Sequence, residues 1–595
     1  MSARERSPIG LFLRGSEVWR HHLSMLSVGV GLVGLVSMTV GVLVMMLTIK
    51  LITTDAQEGI LIYNRVAAAQ CWLGLGNVGL LARDFHADGT DSVTLLPSQI
   101  LTVTSDAYAG WLRIKAWIGM MVGALAAIMM AVVTVRYYHR FGLEKSSERH
   151  LRGARLVSAV ELRDEVLTSR EGPGRYTFAG VPIPKGMEMR NILCTGGMGS
   201  GKSVAIFDLA DQVFAKGRKA VIYDKTGEFT SLYYREGIDV VLNPFDERCP
   251  GWNIFDEIEH VYEFDQIAYS LCPDQDDGDA GSRYFTGGAR TVFSAALQKL
   301  WAEGRRSTNA LVDVLLSQSP DALASYLEGT EASAYINPKA AEQAGGVVST
   351  LVGAIQVLKY IQGSGFSIKR WMQTNNDSRV FITSHESVHN VLLPLISVYL
   401  DIAIRSAMGL SKTREDRLWL FLDELGSLGN IPILKISLTE ARKYGVVHVV
   451  GLQNVAQLRA TFGRDVTQTL RSNLQNYLVL RVSDEETQKA YSELLGAREI
   501  DEQTEGLSFG VATSRDGSNI NVARKEQALV MPSEIKMLKD CEGYLQLAGP
   551  YDVARVEYTP RNRQFGVEGY IHRGGLRLSD ALPVSEDEID AGEAL

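Results

Sequence analysis

Two long apolar segments near the N-terminus dominate the pattern of hydrophobic and polar residues along this chain. Residues 23–49 and residues 116–135 contain no charged side chain. Because about 20 apolar residues allow a helix to cross the hydrocarbon core of a bilayer, both segments are predicted to be transmembrane helices. The first segment could instead be a cleaved signal peptide, but the apolar part of a signal peptide is shorter. The other alternative is that both segments are helices buried in a protein core. The pattern therefore predicts a membrane anchor of two helices.

Basic residues flank the outer ends of this anchor. Those before the first segment and after the second are Arg4, Arg6, Arg14, Arg20, Arg136, Arg140, Lys145 and Arg149. Since flanks rich in arginine and lysine stay in the cytoplasm, both chain termini are predicted to be cytoplasmic. Residues 1–22 would then form a cytoplasmic tail, and residues 50–115 a loop on the outer side of the membrane.

After a mixed, charged linker predicted at residues 136–175, short apolar runs alternate with helical patterns. The runs predicted to be strands are residues 189–195, 219–224, 240–242, 379–384, 418–422, 448–452, 477–482 and 544–548. Strands separated by helices indicate an α/β fold with a mostly parallel sheet that is covered on both faces. Residues 258–372 carry helical patterns alone and are predicted to be an inserted all-α domain. The sheet domain would comprise residues 176–257 and 373–560.

Charge and cysteine usage limit the chemistry further. The net charge is −9, and the last sixteen residues contain no base and six acids, Asp580, Glu586, Asp587, Glu588, Asp590 and Glu593. Residues 561–595 are therefore predicted to be an acidic tail, either solvated or docking a basic partner. The five cysteines form no CxxC pair and the ten histidines form no HExxH motif. The sequence thus supports neither a disulfide framework nor a zinc site.

One short run fits the phosphate-binding pattern GxxxxGK[ST] in full. Its residues are Gly196, Gly197, Met198, Gly199, Ser200, Gly201, Lys202 and Ser203. The glycines let backbone N–H groups surround phosphates, and the helix that follows directs its positive end toward them. Lys202 is predicted to bind the β- and γ-phosphates of ATP, and the Ser203 hydroxyl to bind Mg²⁺. A chance glycine-rich turn is the alternative, but a predicted strand precedes the loop and an amphipathic helix follows it.

A second run supplies the other half of such a site. Asp423 and Glu424 directly follow the apolar strand at residues 418–422. The strand would deliver both carboxylates to the carboxyl edge of the sheet, where ligands of parallel sheets bind. Asp423 is predicted to hold Mg²⁺ and Glu424 to polarise the attacking water, an ordinary strand end being the alternative.

Three further residues have two interpretations each. Gln453 follows the strand at residues 448–452 and either senses the γ-phosphate or caps the strand. Asp224 ends the strand at residues 219–224 and either faces the nucleotide or starts the next turn. Arg442 either reaches the nucleotide of a neighbouring subunit or lies on a solvated helix face.

Several motifs in this order resemble those of type IV coupling proteins of the TraD/TraG kind, from residue 15 to residue 560. They are the segments Val221–Phe229, Leu242–Asp246, Gly251–Asn253, Leu422–Leu425, Glu440–Gly445, Gly451–Leu458 and Gly543–Pro550. The departure is at the C-terminus, where several family members carry a long extension and this chain has a short acidic end. The resemblance therefore leaves open which accessory protein this chain recognises.

The resemblance implies a hexameric, RecA-like P-loop ATPase related to FtsK-type DNA translocases. It would stand in the bacterial inner membrane, with residues 50–115 in the periplasm, at the entrance of a conjugative type IV secretion channel. The implied partners are single-stranded DNA bound to a relaxase, relaxosome proteins and the components of the channel. The residues that match the family's catalytic positions are Lys202, Ser203, Asp423 and Glu424 as Walker residues, Arg442 as the arginine finger and Gln453 as the sensor.

Two other functions share these motifs. An FtsK-like chromosomal DNA translocase would use the same site, but the short acidic end lacks a DNA-reading helical module. A nucleotide-gated membrane docking receptor would need no sustained turnover, whereas Glu424 favours hydrolysis. The bases available for DNA after Asp423 are Lys435, Arg442, Lys443, Arg459, Arg464 and Arg471. Contacts to phosphates from such bases would be largely independent of sequence.

Overall fold

The computed structural model describes residues 8–86, 92–146, 149–274, 280–429, 431–508 and 517–575. The chain divides into a first unit, residues 1–149 with 502–523, and a second unit, residues 150–501 with 524–595. Most of the acidic tail expected at the C-terminus, residues 576–595, lies outside the described residues.

Long helices form most of the first unit. Its elements are α1 (Pro8–Ile52), α2 (Asp55–Trp72), β1 (Arg83–His86), β2 (Ser92–Leu95) and α3 (Pro97–Ser146). Within α1 and α3, the segments Leu26–Ile52 and Gly110–Arg140 are long and apolar enough to cross a membrane, and only 11% of each is buried inside the protein. Such exposure of apolar side chains is what a lipid-facing helix requires.

Glycines bring α1 and α3 close together. A Cβ atom on Gly123 would lie 2.6 Å from the carbonyl oxygen of Gly41, and one on Gly41 would lie 2.9 Å from that of Gly123. Small residues let two backbones approach in this way, which is how apolar helices associate in lipid.

The remaining strands form one large sheet and two small ones, and the part of them within residues 502–523 belongs to the first unit. The strands are β3 (Arg149–Gly153), β4 (Leu156–Ser158), β5 (Pro173–Phe178), β6 (Val181–Pro184), β7 (Ile192–Thr195), β8 (Lys219–Asp224), β9 (Val240–Leu242), β10 (Arg379–Thr383), β11 (Leu418–Leu422), β12 (Val446–Leu452), β13 (Asn476–Leu480), β14 (Ala497–Ser508), β15 (Gly517–Ala528), β16 (Glu542–Gln546) and β17 (Val553–Glu557). The large sheet has the order β4-β17-β16-β13-β7-β12-β11-β8-β10-β9. Its seven strands from β13 to β9 run parallel, and β16 is antiparallel to both of its neighbours.

The central strands are buried on both faces. Every residue of β7, β8, β10, β11, β12 and β13 is buried. Continuous runs of valine, leucine, isoleucine and phenylalanine are the sequence signature of such strands, because helices cover a parallel sheet from both sides. The predicted α/β class with a mostly parallel sheet is therefore confirmed.

Helices of the second unit cover the sheet and fill the connection between β9 and β10. They are α4 (Ala159–Thr168), α5 (Lys202–Ala215), α6 (Glu228–Tyr233), α7 (Tyr262–Leu271), α8 (Ala280–Ala302), α9 (Thr308–Leu316), α10 (Pro320–Tyr326), α11 (Ala341–Ile355), α12 (Ile368–Gln373), α13 (His389–Met408), α14 (Pro432–Glu440), α15 (Val455–Asn473), α16 (Glu485–Leu495) and α17 (Pro532–Lys536). Among the described residues from β9 to β10, α7 to α12 alternate with short 3₁₀ turns and no strand occurs. The apolar side chains of these helices join those of β8, β10 and β11 in one continuous core.

One helix of the second unit has the length and hydropathy of a membrane span but belongs to this core. The segment Glu386–Met408, which contains α13, is 67% buried inside the protein. Leu400 and Ile404 of α13 are fully buried in the same cluster as Trp252. Burial of α13 thus explains its apolar composition without a bilayer.

Residues after β17 pack back on the second unit. The N–H of Gly566 donates to the carbonyl of Ser231, and the N–H of Arg573 donates to that of Phe245, each at 2.9 Å. Residue 561, the expected start of the acidic tail, therefore lies inside a segment that contacts the sheet domain.

Candidate nucleotide-binding site

The phosphate-binding loop connects β7 to α5 at the carboxyl edge of the sheet. The N–H of Gly196 donates to the carbonyl of Leu452 at 3.1 Å, and the N–H of Gly197 donates to that of Arg481 at 2.8 Å. Both the N–H and the hydroxyl of Ser200 donate to the carbonyl of Gly197, at 3.2 and 2.7 Å. The ends of β12 and β13 thus hold the start of the loop in place, and an internal turn fixes its course.

Two glycines of the loop occupy conformations that other residues rarely adopt. Gly199 has φ +72° and Gly201 has φ +99°. A Cβ atom on Gly201 would also lie 2.8 Å from the Cys541 sulfur and 3.0 Å from the Tyr558 hydroxyl oxygen. The sequence pattern therefore has glycine where the left-handed backbone and the close packing both require it. Met198, at the tip of the loop, is 89% exposed.

Lys202 joins the loop to the second half of the site. Its buried ammonium donates to the Oε2 atom of Glu424 at 3.0 Å and to the carbonyl oxygen of Asp423 at 2.9 Å. One strand, β12, separates β7 from β11, so these two strand ends lie about 10 Å apart. A lysine side chain at the start of α5 can cross that distance.

The carboxylates of Asp423 and Glu424 are buried and only partly bonded. The Oδ1 atom of Asp423 and the Oε1 atom of Glu424 have no hydrogen-bond partner among the described residues. Burial raises the pKa of Asp423, and the nearby Lys202 ammonium partly opposes this rise. Buried acceptor oxygens without a donor fit a divalent cation and its bound water. Ser203 lies half-buried in the same cleft.

Gln453 and its strand complete this part of the site. Gln453 follows β12, the strand between β7 and β11, and lines the cleft together with Lys202 and Glu424. A Cβ atom on Gly451 would lie 1.9 Å from the carbonyl oxygen of Asp423, so only glycine fits at that position of β12.

Asp224 stabilises the turn that follows β8. Its Oδ1 atom accepts from the N–H of Gly227 at 2.9 Å, and its Oδ2 atom accepts from the N–H and the hydroxyl of Thr230, both at 2.7 Å. The carboxylate is fully buried, and burial raises its pKa. The geometry favours the turn-forming interpretation, in which Asp224 positions Lys225 and Glu228 at the cleft rather than facing the nucleotide itself.

Arg442 lies at the opposite edge of the sheet. It belongs to a 3₁₀ turn, Ala441–Tyr444, that precedes β12. Since β12 is seven residues long, its two ends lie about 20 Å apart. Arg442 is mostly exposed there. The pKa of its guanidinium is lowered by the part of the side chain that is buried and by the nearby positive charge of Arg190. The structure therefore does not bring Arg442 to the loop of its own chain.

A cleft of about 1270 Å³ surrounds the loop and is lined by further residues that the sequence motifs did not predict as site residues. They are Lys225, Thr226, Glu228, His385, Glu386, Gln457, Cys541, Arg561, Asn562, Arg563 and Phe565. Lys225 to Glu228 fall inside the motif Val221–Phe229, which marks this turn in the sequence. The residues from 561 onward carry no such signal because they are polar, glycine-rich and outside the predicted domain.

A mostly parallel sheet with a phosphate-binding loop after one strand and an Asp-Glu pair after another defines a nucleotide-binding P-loop NTPase of the RecA-like class. The family whose sequence model matches residues 175–559 is described as "Type IV secretion-system coupling protein DNA-binding domain". This chain belongs to the family of type IV secretion-system coupling proteins.

Individual relatives agree with this assignment. The chain is 29% identical over 502 residues to coupling protein TraD of Escherichia coli K12, covering 82% of this chain and 69% of TraD. It is 28% identical over 232 residues to a conjugal transfer protein TraG of Escherichia coli, covering 35% and 36% of the two chains. TraD and TraG are the proteins whose family the sequence motifs resemble.

Solved structures of plasmid coupling protein TrwB have the same fold. The complex of TrwB with ADP and Mg²⁺ matches with a TM-score of 0.64 at 30% identity, covering 72% of this chain and 98% of the solved TrwB chain. The complex with a non-hydrolysable ATP analogue matches with a TM-score of 0.63 at 30% identity, covering 71% and 97%. The ligands of these TrwB structures are of the kinds predicted for this chain, an adenine nucleotide and Mg²⁺.

Proposed function

We propose that the protein is a hexameric ATPase of the bacterial inner membrane that recruits relaxase-bound DNA and uses ATP hydrolysis to transfer it through a conjugative type IV secretion channel. The observation that carries this proposal is the Lys202–Glu424 ion pair, which joins a phosphate-binding loop to a buried pair of carboxylates. Membership of the coupling-protein family supports DNA, relaxosome proteins and the channel as partners. The two apolar segments support a two-pass anchor with both termini in the cytoplasm.

The loop and the start of α5 are suited to hold the phosphates of ATP. Backbone N–H groups of residues 196–201 and the positive end of α5 provide donors, and the Lys202 ammonium provides a charge. Ser203 and Asp423 are the ligands that we propose for Mg²⁺. The bound ion would neutralise charge on the phosphates.

Glu424 is proposed to accept the proton of the attacking water. Its Oε2 atom is held by Lys202, and its Oε1 atom is buried without a partner among the described residues. Phosphate oxygens accept from the same ammonium, so nucleotide binding is expected to loosen the hold of Lys202 on Glu424. Gln453, at the end of β12, is placed to sense the γ-phosphate.

Arg442 is proposed to act on the site of a neighbouring subunit. Its position at the far edge of the sheet excludes a contact with the loop of its own chain, whereas a ring of subunits brings different edges of adjacent chains together. An arginine supplied in trans stabilises the charge that develops during phosphoryl transfer. The exposed bases Lys435 and Arg464 are available for DNA phosphates, whereas the exposed Arg459 pairs with Glu486.

Conjugative transfer from donor cells tests this function. Replacement of Lys202 by alanine should reduce transfer to the background of donors without the protein, because the phosphate contact is lost. Lys412→Ala, a change at an exposed lysine outside the cleft, should transfer as the wild type does. Normal transfer by Lys202→Ala protein present at wild-type levels in the membrane would contradict the proposal.

A further inference from the structure

The segment after β17 forms one wall of the nucleotide cleft. This segment, residues 560–573, is named the C-terminal strap. Five of its residues, Pro560, Arg561, Asn562, Arg563 and Phe565, line the cleft that contains Lys202 and Ser203. The strap passes along α5 and then along the turns that follow β8 and β9.

Charged contacts fasten the beginning of the strap to α5. The guanidinium of Arg561 lies 2.9 Å from an oxygen of Asp208, and the guanidinium of Arg563 donates to Asp211 at 2.8 Å. Arg563 also lies over the ring of Phe207. At 1.5 Å of rise per residue, Asp208 and Asp211 lie about 9 and 14 Å along α5 from Lys202. The strap therefore contacts α5 well beyond the end that faces the phosphates.

Backbone contacts fasten the rest of the strap. The guanidinium of Arg248 donates to the carbonyls of Glu568 at 2.8 Å and Gly569 at 3.1 Å. A Cβ atom on Gly569 would lie 2.7 Å from the carbonyl oxygen of Gly227, so the strap touches the turn that Asp224 stabilises. The N–H of Glu247 donates to the carbonyl of Ile571 at 2.9 Å. With so many contacts along its length, the strap has a defined course over the sheet domain.

Phe565 is the feature of the strap that points to a ligand. Its side chain is 67% exposed, yet it lines a cleft between two fixed stretches of chain. An exposed aromatic ring in such a place is stabilised when a flat apolar group stacks on it. Every nucleobase has a face of this kind.

We propose that the C-terminal strap is the nucleoside-binding wall of the site and that Phe565 stacks on the base of the bound nucleotide. This inference rests on the proposed function, because it assumes that the loop holds the phosphates. It adds to that function by assigning the two parts of the nucleotide to two different elements of the chain. The loop binds the triphosphate, and the strap binds the nucleoside with little preference among bases, since stacking is tolerant of base identity.

Binding of two probes to the full-length protein in detergent tests this division. The probes are ATP and inorganic triphosphate, each with Mg²⁺, measured by calorimetry. Phe565→Ala should weaken ATP about five- to tenfold and leave triphosphate unchanged, because only the stacking contact is removed. Phe565→Trp should keep wild-type affinity for ATP. Tyr262→Ala removes another aromatic ring, 58% exposed and outside this cleft, and should change neither affinity.

The outcomes separate this inference from the proposed function. If the wild type binds neither probe, the phosphate site itself is wrong and the inference fails with it. If the wild type binds both, an unchanged affinity of Phe565→Ala for ATP overturns the inference alone. Equal weakening of both probes also overturns it, since that result indicates a distorted loop.

Amide hydrogen exchange provides a measurement that needs no substitution. The N–H groups of Gly566 and Arg573 should exchange more slowly in the wild type when ATP is bound than when inorganic triphosphate is bound. Equal protection of the strap by the two probes would overturn the inference.

Discussion

At the scale of single residues, the Lys202–Glu424 pair concentrates the chemistry of the site in two buried side chains. Removing one partner of a buried ion pair leaves the other charge uncompensated and destabilises the protein. A truncated side chain at either position, such as Lys202→Ala, is therefore informative only when the variant is present at wild-type levels in the membrane. An isosteric, neutral replacement is the more informative change.

Glu424→Gln should keep nucleotide binding and lose turnover. The amide retains the size of the carboxylate and a carbonyl oxygen that accepts from Lys202, but it cannot take a proton from water. Loss of a general base lowers kcat by about 10²- to 10⁴-fold. The measurement is steady-state ATP hydrolysis together with the Kd for ATP, which we expect to change less than threefold.

Glu386→Gln is the matched control for this change. Glu386 lines the same cleft and forms an ion pair with Lys225 at 3.0 Å, but its side chain is 79% exposed. It should retain most of the wild-type rate. A Glu424→Gln protein that hydrolyses ATP at the wild-type rate would exclude Glu424 as the base.

At the scale of elements, β12 holds the two halves of the site in register. It pairs in parallel with β7 on one side and β11 on the other. At its centre, fully buried His448 donates from Nδ1 to the Oδ1 atom of Asn191 at 2.9 Å, and its Nε2 atom accepts from the Ser437 hydroxyl at 2.7 Å. The amide of Asn191 donates to the carbonyls of Leu438 and Asn473, which orients its oxygen toward His448. The imidazole is therefore neutral.

Burial of His448 should make the protein sensitive to acid. Desolvation lowers its pKa from 6.5 to about 3. Below pH 6.5 the unfolded chain binds a proton at this residue that the folded chain does not, so stability falls as the pH falls toward 3. Each pH unit in that window costs about 1.4 kcal/mol.

His448→Asn should therefore reduce the pH dependence of stability. Chemical unfolding followed by tryptophan fluorescence at pH 7, 6 and 5 gives the free energy of unfolding. We expect the variant to be less stable at pH 7 but to lose about 1 kcal/mol less than the wild type between pH 6 and pH 5. Identical losses in the two proteins would show that His448 is not the titrating group.

How far each element can be predicted from sequence depends on whether its contacts are local. The buried strands β8, β11 and β12 appear as runs of apolar residues, and the loop at Gly196 to Ser203 carries its own glycine pattern. The strap has neither signal, because its course depends on side chains far away in sequence, such as Asp208 and Arg248. The sequence also left open whether Asp224 faces the nucleotide, and the structure shows that both of its carboxylate oxygens accept hydrogen bonds from the turn that follows β8.

At the scale of the whole molecule, Arg442 lies at the far edge of the sheet from the loop of its own chain, so its proposed catalytic role requires a neighbouring subunit. The proposed hexamer would complete each site with Arg442 from a neighbour. The two sides of that site then lie on different chains, and subunits with different defects can complement each other.

Mixed hexamers test this arrangement directly. Lys202→Ala and Arg442→Ala proteins should each be inactive alone, because each lacks one side of every site. When they are co-expressed, about a quarter of the interfaces pair an intact Lys202 with an intact Arg442, so roughly a quarter of the wild-type ATPase activity should return. If Arg442 acts within its own chain, no mixed site is intact and activity should stay at the level of the single variants.

The proposed role of the site at Lys202 and Glu424 is to hydrolyse ATP in order to move DNA. Its most direct test is the rate of ATP hydrolysis by the full-length protein in lipid nanodiscs, with and without single-stranded DNA. DNA should raise the wild-type rate severalfold and leave Glu424→Gln at background. A wild-type rate that is the same with and without DNA would contradict this role.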